Sequence, residues 1–207
     1  MKFYNRTSEL QELHRIQKLS FDSHSRMTVI TGRRRIGKTS LAVEATKGDY
    51  PTVYLFVSRK NEAALCAEFS QLIVSVLGCY IPAEIKSFRS LFQMIMELAK
   101  AQKFNLIIDE FQEFEKINPS VFSDVQNIWD QYRKETCVNL ILMGSVFSMM
   151  HRIFEGAKEP LFGRADNIIR LTGFGTDTLK EIMNDYRPGH DNDELLALYS
   201  ITGGVPK

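Results

Sequence analysis

The sequence is poor in the features that settle a protein's class at once. Only three of its 207 residues are cysteine. Cys66, Cys79 and Cys137 stand apart, with no CxxC spacing and no histidine cluster beside them. That argues against a structural metal or a disulfide framework and for buried, reduced thiols. A chain of this length buries roughly 70% of its unfolded surface, so it needs no such staple. No apolar run approaches the ~20 residues of a membrane span. The opening "MKFYNRTSEL" turns polar at once, unlike a secretory leader, so no membrane partner and a cytoplasmic location are expected. Neither sign of charge dominates: 26 basic residues face 25 acidic ones, a net charge of +1. That balance points to neither a general nucleic-acid binder nor a membrane-surface binder. Repeats, low-complexity tracts and an obvious linker are also missing. What remains, 44% apolar and 25% charged residues, fits one ordinary globular domain of α/β size.

Strand and helix signals alternate along the chain. "RMTVITG" reads as a short buried strand ending at Gly32, followed by a helix in "KTSLAVEATK" closed by Gly48. "PTVYLFVS" is a second strand. Asn61 is a plausible cap for a helix in which Leu65, Phe69, Leu72 and Val76 share one face, ending at Gly78. Ser87 begins another, with Phe88, Leu91, Phe92, Ile95 and Ala99 on its core side. "FNLIID" is a third strand whose unbroken apolar character predicts cover on both faces. After Asn118-Pro119, Val121, Val125, Ile128, Trp129 and Tyr132 share a helical face. "VNLILMGS" and "NIIRLT" are the fourth and fifth strands, and helical patterns return near 176–186 and 192–201. This order implies a parallel sheet with helices on both faces and right-handed crossovers.

Gly32, Gly37, Lys38 and Thr39 satisfy G-x-x-x-x-G-K-[ST], with a strand before and a helix after, the context this phosphate loop requires. Glycines let the backbone curl so that successive N–H groups face phosphate oxygens, and the helix N-terminus adds its positive end. Lys38 is expected to reach the β- and γ-phosphates, and the Thr39 hydroxyl to meet Mg²⁺. The candidate nucleotide-binding stretch is therefore Gly32, Arg33, Arg34, Arg35, Ile36, Gly37, Lys38, Thr39 and Ser40. The three arginines occupy the variable positions. A solvated basic loop and a contact to a partner are both open for them.

"LIIDE" places two acids at the tip of the third strand. Asp109 is the candidate for Mg²⁺, reached through a water, and Glu110 the candidate base that orients an attacking water. The C-terminal strand ends of a parallel sheet share one edge, where ligands bind. The basic cluster at 33–38 and the acids Asp109, Glu110, Glu113 and Glu115 are thus expected to converge.

Six segments in this order resemble a family of archaeal and bacterial P-loop ATPases of the AAA+/STAND type: "FYNRTSELQEL", "GRRRIGKTSL", "LIIDEFQ", "MGSVFSMM", "PLFGRA" and "GGVP". The resemblance implies an ASCE-like P-loop NTPase fold, a three-layer α/β/α sandwich with strand order 5-1-4-3-2. It places Asn5 and Arg6 beside the adenine, though an N-terminal helix cap would also explain them. It gives Ser145 the position that senses the γ-phosphate. Many relatives carry Asn there, and a polar turn residue is the alternative. Arg164 corresponds to a region that faces a neighbouring subunit and can lend an arginine finger, which suggests a homo-oligomer. A surface arginine paired with an acid such as Asp166 is the other reading. Pro206 resembles the G-x-P signature near the nucleotide. A core over 1–186 is expected, with 187–207 opening a helical or winged-helix lid region. The chain reads as the front part of a longer protein, with the covering lid truncated.

The residues and the resemblance together imply an ATPase that binds ATP or ADP with Mg²⁺ and hydrolyses the β–γ bond. A nucleotide-gated switch with little turnover is the alternative. Nucleic acid is a possible partner that the sequence does not show, since a simple nucleic-acid module rests on the arginine run alone. A small-molecule kinase is disfavoured by the acidic pair and the lack of an evident substrate lid, and no guanine-reading "NKxD" segment is present.

Overall fold

A computed structural model describes residues 3–82 and 84–205. Five strands form one sheet: β1 (Arg26–Gly32), β2 (Thr52–Phe56), β3 (Phe104–Asp109), β4 (Val138–Gly144) and β5 (Asn167–Leu171). Their order is β2-β3-β4-β1-β5, which read from the other edge is the predicted 5-1-4-3-2. Every pairing is parallel, so all five C-terminal strand ends lie on one edge. The register aligns Thr31 of β1 with Gly144 of β4, and Ile108 of β3 with Leu142 of β4.

Helices cover both faces, as the unbroken apolar strands require. In β4, Leu140 and Leu142 join one core while Ile141 and Met143 join the other. The first core is filled from α3 (Glu62–Leu77), α4 (Phe88–Leu98), α6 (Ser120–Tyr132) and α7 (Phe147–Glu155). The second is filled from α1 (Thr7–Asp22) and α2 (Lys38–Ala45), with Leu13, Leu41, Ala42 and Ala45. Each buried Leu, Ile or Phe contributes about 1.5–3 kcal/mol, so the sheet edge that carries the loops rests on a rigid base. A polar seam crosses it. Buried Asn105 accepts from Gln17 at 2.8 Å and from Asn139 at 2.9 Å, and donates to Thr52 at 3.2 Å, pinning α1 to three strands.

Short helix α5 (Phe114–Ile117) follows a 3₁₀ turn at Phe111–Glu113. Helices α8 (Thr176–Tyr186) and α9 (Asn192–Thr202) stand apart and share a small core of Phe174, Leu179 and Leu195, flanked by Ile182, Met183 and Leu198. Asp191 and Glu194 form a capping box at the start of α9.

The caps at Asn61 and Ser87 form as predicted, each accepting a hydrogen bond from the backbone N–H three residues on. The core side of α4 and of α6 is the predicted one. The face of α3 is not. Leu65, Cys66, Phe69, Ile73 and Leu77 are buried, while Leu72 and Val76 are 38% and 40% exposed. The stretch "LIVSVL" is apolar around the whole helix, so periodicity leaves two faces equivalent there, and the packing against β2 and α4 selects the 65-69-73-77 ridge. Helices α1 and α7 go beyond the sequence reading. Cys66 is buried, Cys79 and Cys137 are partly so, and all three are free thiols.

Candidate functional site

The loop from Gly32 to Lys38 leaves β1 and enters α2 directly. Two of its residues have left-handed backbone, Arg35 (φ 64°) and Gly37 (φ 94°). Gly37 sits at the N-cap of α2, where a side chain would be strained. A curl of this kind leading into a helix N-terminus favours an anion, because backbone N–H groups and the helix's positive end can share one space. Arg33, Arg34 and Arg35 are exposed, Ile36 is buried in the core, and Thr39 and Ser40 are exposed at the first turn of α2.

Lys38 is almost completely buried. Its ammonium donates to the carbonyls of Gly32 (3.0 Å) and Arg33 (3.2 Å). Burial lowers its pKa, against the opposing pull of Glu110 and Asp109. A buried ammonium whose partners are two neutral carbonyls is poised to receive an anionic one.

Asp109 closes β3. One carboxylate oxygen accepts from the Thr39 hydroxyl at 3.0 Å and from the Tyr54 phenol at 2.7 Å. The other accepts from the Glu110 N–H at 2.8 Å. The Thr39 hydroxyl and the Asp109 carboxylate are hard oxygen donors side by side at the loop mouth, a donor set that fits Mg²⁺. Among the described residues no three His, Cys, Asp or Glu side chains gather to hold a metal by themselves. A cation at this point would therefore complete its shell with phosphate and water oxygens, the usual habit of Mg²⁺.

Glu110 has left-handed backbone (φ 55°), uncommon for a residue with a Cβ. Its carboxylate accepts from the Ser145 hydroxyl at 2.7 Å and from the Gln112 side-chain amide. Strand β4 lies between β3 and β1, so Ser145, just past its end, stands between the loop and the acids, as predicted. Glu113 and Glu115 do not converge on the loop. Glu113 pairs with Arg59 and Lys116, and Glu115 with Arg152, because the 3₁₀ turn after Glu110 carries them away.

Beside the loop opens a cavity of about 440 Å³. Ile36, Gly37 and Ser40 line one side, and Phe174, Leu179, Ile182 and Tyr186 the other. Phe3, Tyr4, Arg6, Leu198, Thr202 and Val205 complete it. A mostly apolar cleft with a few polar groups is the usual form of a small-molecule site. Helices α8 and α9 form one wall of the cavity. The N-terminal segment holds that wall. Asn5 donates to Thr178 (2.6 Å), and Arg6 donates to the Thr172 carbonyl (2.5 Å) and to Glu9 (3.1 Å). The Arg6 guanidinium also lies 4.9 Å from the Phe174 ring centre. Arg6 occupies the N-cap position of α1 but makes no side-chain cap bond, so capping does not explain it. Arg6 lines the cavity, whereas Asn5 is exposed and ties down α8.

Arg164 is paired with Asp130 (3.0 Å) and the Phe162 carbonyl (2.8 Å), not with Asp166. Asp166 is held by Arg26 (2.8 Å) and the Met27 N–H (2.8 Å) at the start of β1. Arg164 therefore lies at the sheet edge opposite the loop. Pro206 falls outside the described residues. Tyr54, Gln112 and Phe174 belong to the site without having been read from the sequence.

Among the described residues no helix is long and apolar enough to cross a membrane. An uncharacterised protein of Methanocaldococcus jannaschii is 30% identical over 204 residues, covering 99% of this chain and 42% of that protein. The chain thus spans less than half of that relative's length. A Walker-type ATPase of Pyrococcus abyssi has a similar structure, with a TM-score of 0.69 at 18% identity over 99% of this chain and 65% of its own. The Aeropyrum pernix ORC2 protein, solved with ADPNP and ADP, gives a TM-score of 0.65 at 17% identity, over 87% of this chain and 51% of its own. These two likenesses show a shared P-loop ATPase fold. Residues 3–207 match the ATPase domain family found predominantly in Archaea, and the chain belongs to that family.

Proposed function

We propose that the chain binds ATP and hydrolyses Mg·ATP to ADP and phosphate, coupling nucleotide state to a change of conformation. The observation that carries this reading is the meeting, at one sheet edge, of the Gly32–Thr39 loop, Asp109, Glu110 and the 440 Å³ cavity. In this reading the base and ribose occupy the cavity, against Arg6 and the wall from α8 and α9. The loop backbone cradles the phosphates, and Lys38 exchanges its carbonyl partners for β- and γ-phosphate oxygens. Bound at Thr39 and Asp109, Mg²⁺ would neutralise charge on those oxygens. Glu110 orients a water and takes its proton as the water oxygen bonds to the γ-phosphorus. The bond from that phosphorus to the bridging oxygen breaks, and its electron pair leaves with ADP. Ser145 reports on the γ-phosphate. We place the start of the lid at α8 rather than at 187, because α8 and α9 share one core.

Arg164 reaches no nucleotide in its own chain from the opposite edge, so a finger role belongs to a homo-oligomer and requires release from Asp130. Exposed Arg33, Arg34 and Arg35 leave room for a nucleic-acid or protein partner. The second reading, a switch that turns over rarely, draws on the Glu110 carboxylate being held by Ser145 and Gln112. A chain that draws on ATP suits a cytoplasmic location.

Phosphate release from Mg·ATP tests this. Wild type should turn over, Glu110→Gln should bind ATP with no more than residual turnover, and Lys38→Ala should do neither. If wild type binds ADP but is as inactive as both variants at every protein concentration, the enzyme reading gives way to the switch.

A further inference from the structure

Gln112 is wholly buried, with 0% exposure, in the 3₁₀ turn that follows Glu110. Among the described residues its side chain makes one hydrogen bond, from its amide N–H to the Glu110 carboxylate. Its amide oxygen is buried and accepts none from them. An apolar residue would fill this space without stranding a buried acceptor. What glutamine adds here is a donor aimed at Glu110.

The surroundings fix that donor. Phe111 and Phe114, on either side of Gln112's turn, pack edge to face at 5.7 Å, and Phe111 also meets Phe122 and Phe154 at 5.6 and 5.9 Å. Both rings are fully buried, so the turn cannot shift without disturbing the core. Across from it, Gly144 leaves the room that the amide occupies. A Cβ built on Gly144 would lie 2.4 Å from the Gln112 amide oxygen. The Ser145 hydroxyl, the other donor to the same carboxylate oxygen, has one proton to give. It cannot serve Glu110 and a γ-phosphate together. When Ser145 turns to the nucleotide, Gln112 is the side chain that still holds Glu110.

We propose that Gln112 is a positioning residue for Glu110: its buried amide fixes the carboxylate against the attacking water while Ser145 is engaged elsewhere. This rests on Glu110 acting as the base. The expected consequence is a fall in kcat with KM and ADP affinity unchanged. Displacement of a reacting group by about 1 Å can cost on the order of 100-fold, so a loss of about 10- to 100-fold is expected.

The experiment compares Gln112→Met, of similar volume without the donor, and Gln112→Asn, which keeps the amide one methylene short. Each is made alone and with Glu110→Gln. Mg·ATP turnover, ADP binding by calorimetry and thermal unfolding are measured for all. The expected result is a lowered kcat in both single variants with ADP affinity kept, and no further loss of residual turnover in the Glu110→Gln background. A full kcat in either folded single variant beside an inactive Glu110→Gln overturns this inference and leaves the base assignment standing. An additive loss, or one shared with ADP affinity, overturns it in favour of a structural role. Turnover that is absent in wild type, or that survives Glu110→Gln, removes the base and this inference together.

Discussion

The hydroxyl of Thr39 lies 3.0 Å from a carboxylate oxygen of Asp109, and the same oxygen accepts from the Tyr54 phenol at 2.7 Å. Thr39 opens α2, Asp109 ends β3 and Tyr54 lies in the edge strand β2. One oxygen thus joins three elements that meet at the site. Thr39 and Asp109 are also the residues proposed above to hold Mg²⁺, so a metal there would compete with the two protein donors, Thr39 and Tyr54.

Tyr54→Phe removes one of those donors without changing the ring. The expected cost is about 1 kcal/mol at neutral pH, the net worth of an ordinary hydrogen bond. Burial, and then Asp109, push the Tyr54 phenol well above the tyrosine range. The sign follows from that direction. The folded state keeps the phenol protonated at pH values where the unfolded chain loses the proton. This part of the stability is therefore complete below about pH 10 and is lost as pH rises above it. Urea unfolding of both proteins should show the gap between wild type and Tyr54→Phe shrinking above pH 10. A gap independent of pH would show that Tyr54 is not buried against Asp109.

Lys38 gives a second pH effect, on binding. Its pKa is lowered in the free protein, chiefly by burial. A bound polyphosphate favours the charged form, so binding raises that pKa. Nucleotide affinity should weaken as alkaline pH deprotonates the free lysine, and binding there should be accompanied by proton uptake. Calorimetry of ADP in buffers of different ionisation enthalpy measures this directly. Lys38→Ala should abolish both the affinity and the proton uptake. Proton uptake of equal size in a Lys38→Ala protein that still binds would assign it to another group.

The phosphate loop was legible because its chemistry lies in a contiguous run of fixed spacing, and the acidic strand tip because a buried strand ending in Asp-Glu is a local pattern. The parallel sheet followed from strands alternating with helices, and its strand order from the family resemblance alone. Tyr54 and Gln112 were not legible, for different reasons. Tyr54 reaches Asp109 only through the register of β2 on β3, which pairs Tyr54 with Ile107. Gln112 reaches Glu110 through a left-handed turn and a gap left by Gly144, neither of which has a sequence period. The face of α3 is ambiguous in sequence, because Leu72, Ile73, Val74, Val76 and Leu77 make every side apolar. Arg164 does sit in a surface pair with an acid, but which acid is not legible: Asp166, its neighbour in sequence, is drawn to the start of β1, and Asp130 comes from the end of α6.

Arg6 couples the N-terminal segment to the wall of the cavity. It is 8% exposed, donates to Thr172 and Glu9, and stacks on Phe174. Arg6→Ala removes a charged hydrogen bond to the Thr172 carbonyl and the cation from the ring. The expected cost is about 1–3 kcal/mol. Because Arg6 also lines the cavity, ADP affinity should fall along with stability, and proteolysis should cut first near 173–190. Arg6→Lys keeps the charge but not the planar fork, so it should recover only part of the loss. Unchanged ADP affinity in Arg6→Ala would separate the cavity from the nucleotide site.

Gly144→Ala tests how tightly the acidic tip is packed. The added Cβ would lie 2.4 Å from the Gln112 amide oxygen and 2.4 Å from both Cγ and Sδ of Met150. Gln112 and Met150 are buried, so neither has solvent to move into. Overpacking of this kind costs about 1–3 kcal/mol, which should appear as a lower urea midpoint with an unchanged slope. Gln112 is pushed in the same step, and its donor leaves Glu110. Turnover should then fall by more than the lost stability explains, since a protein still folded at the assay temperature loses no active molecules. Ser145 keeps its own bond to Glu110 unless the end of β4 moves, so ADP binding should hold. If Gly144→Ala keeps wild-type stability, the gap beside Gln112 is wider than 2.4 Å implies, and the turn at 111–113 adjusts more easily than its aromatic packing indicates.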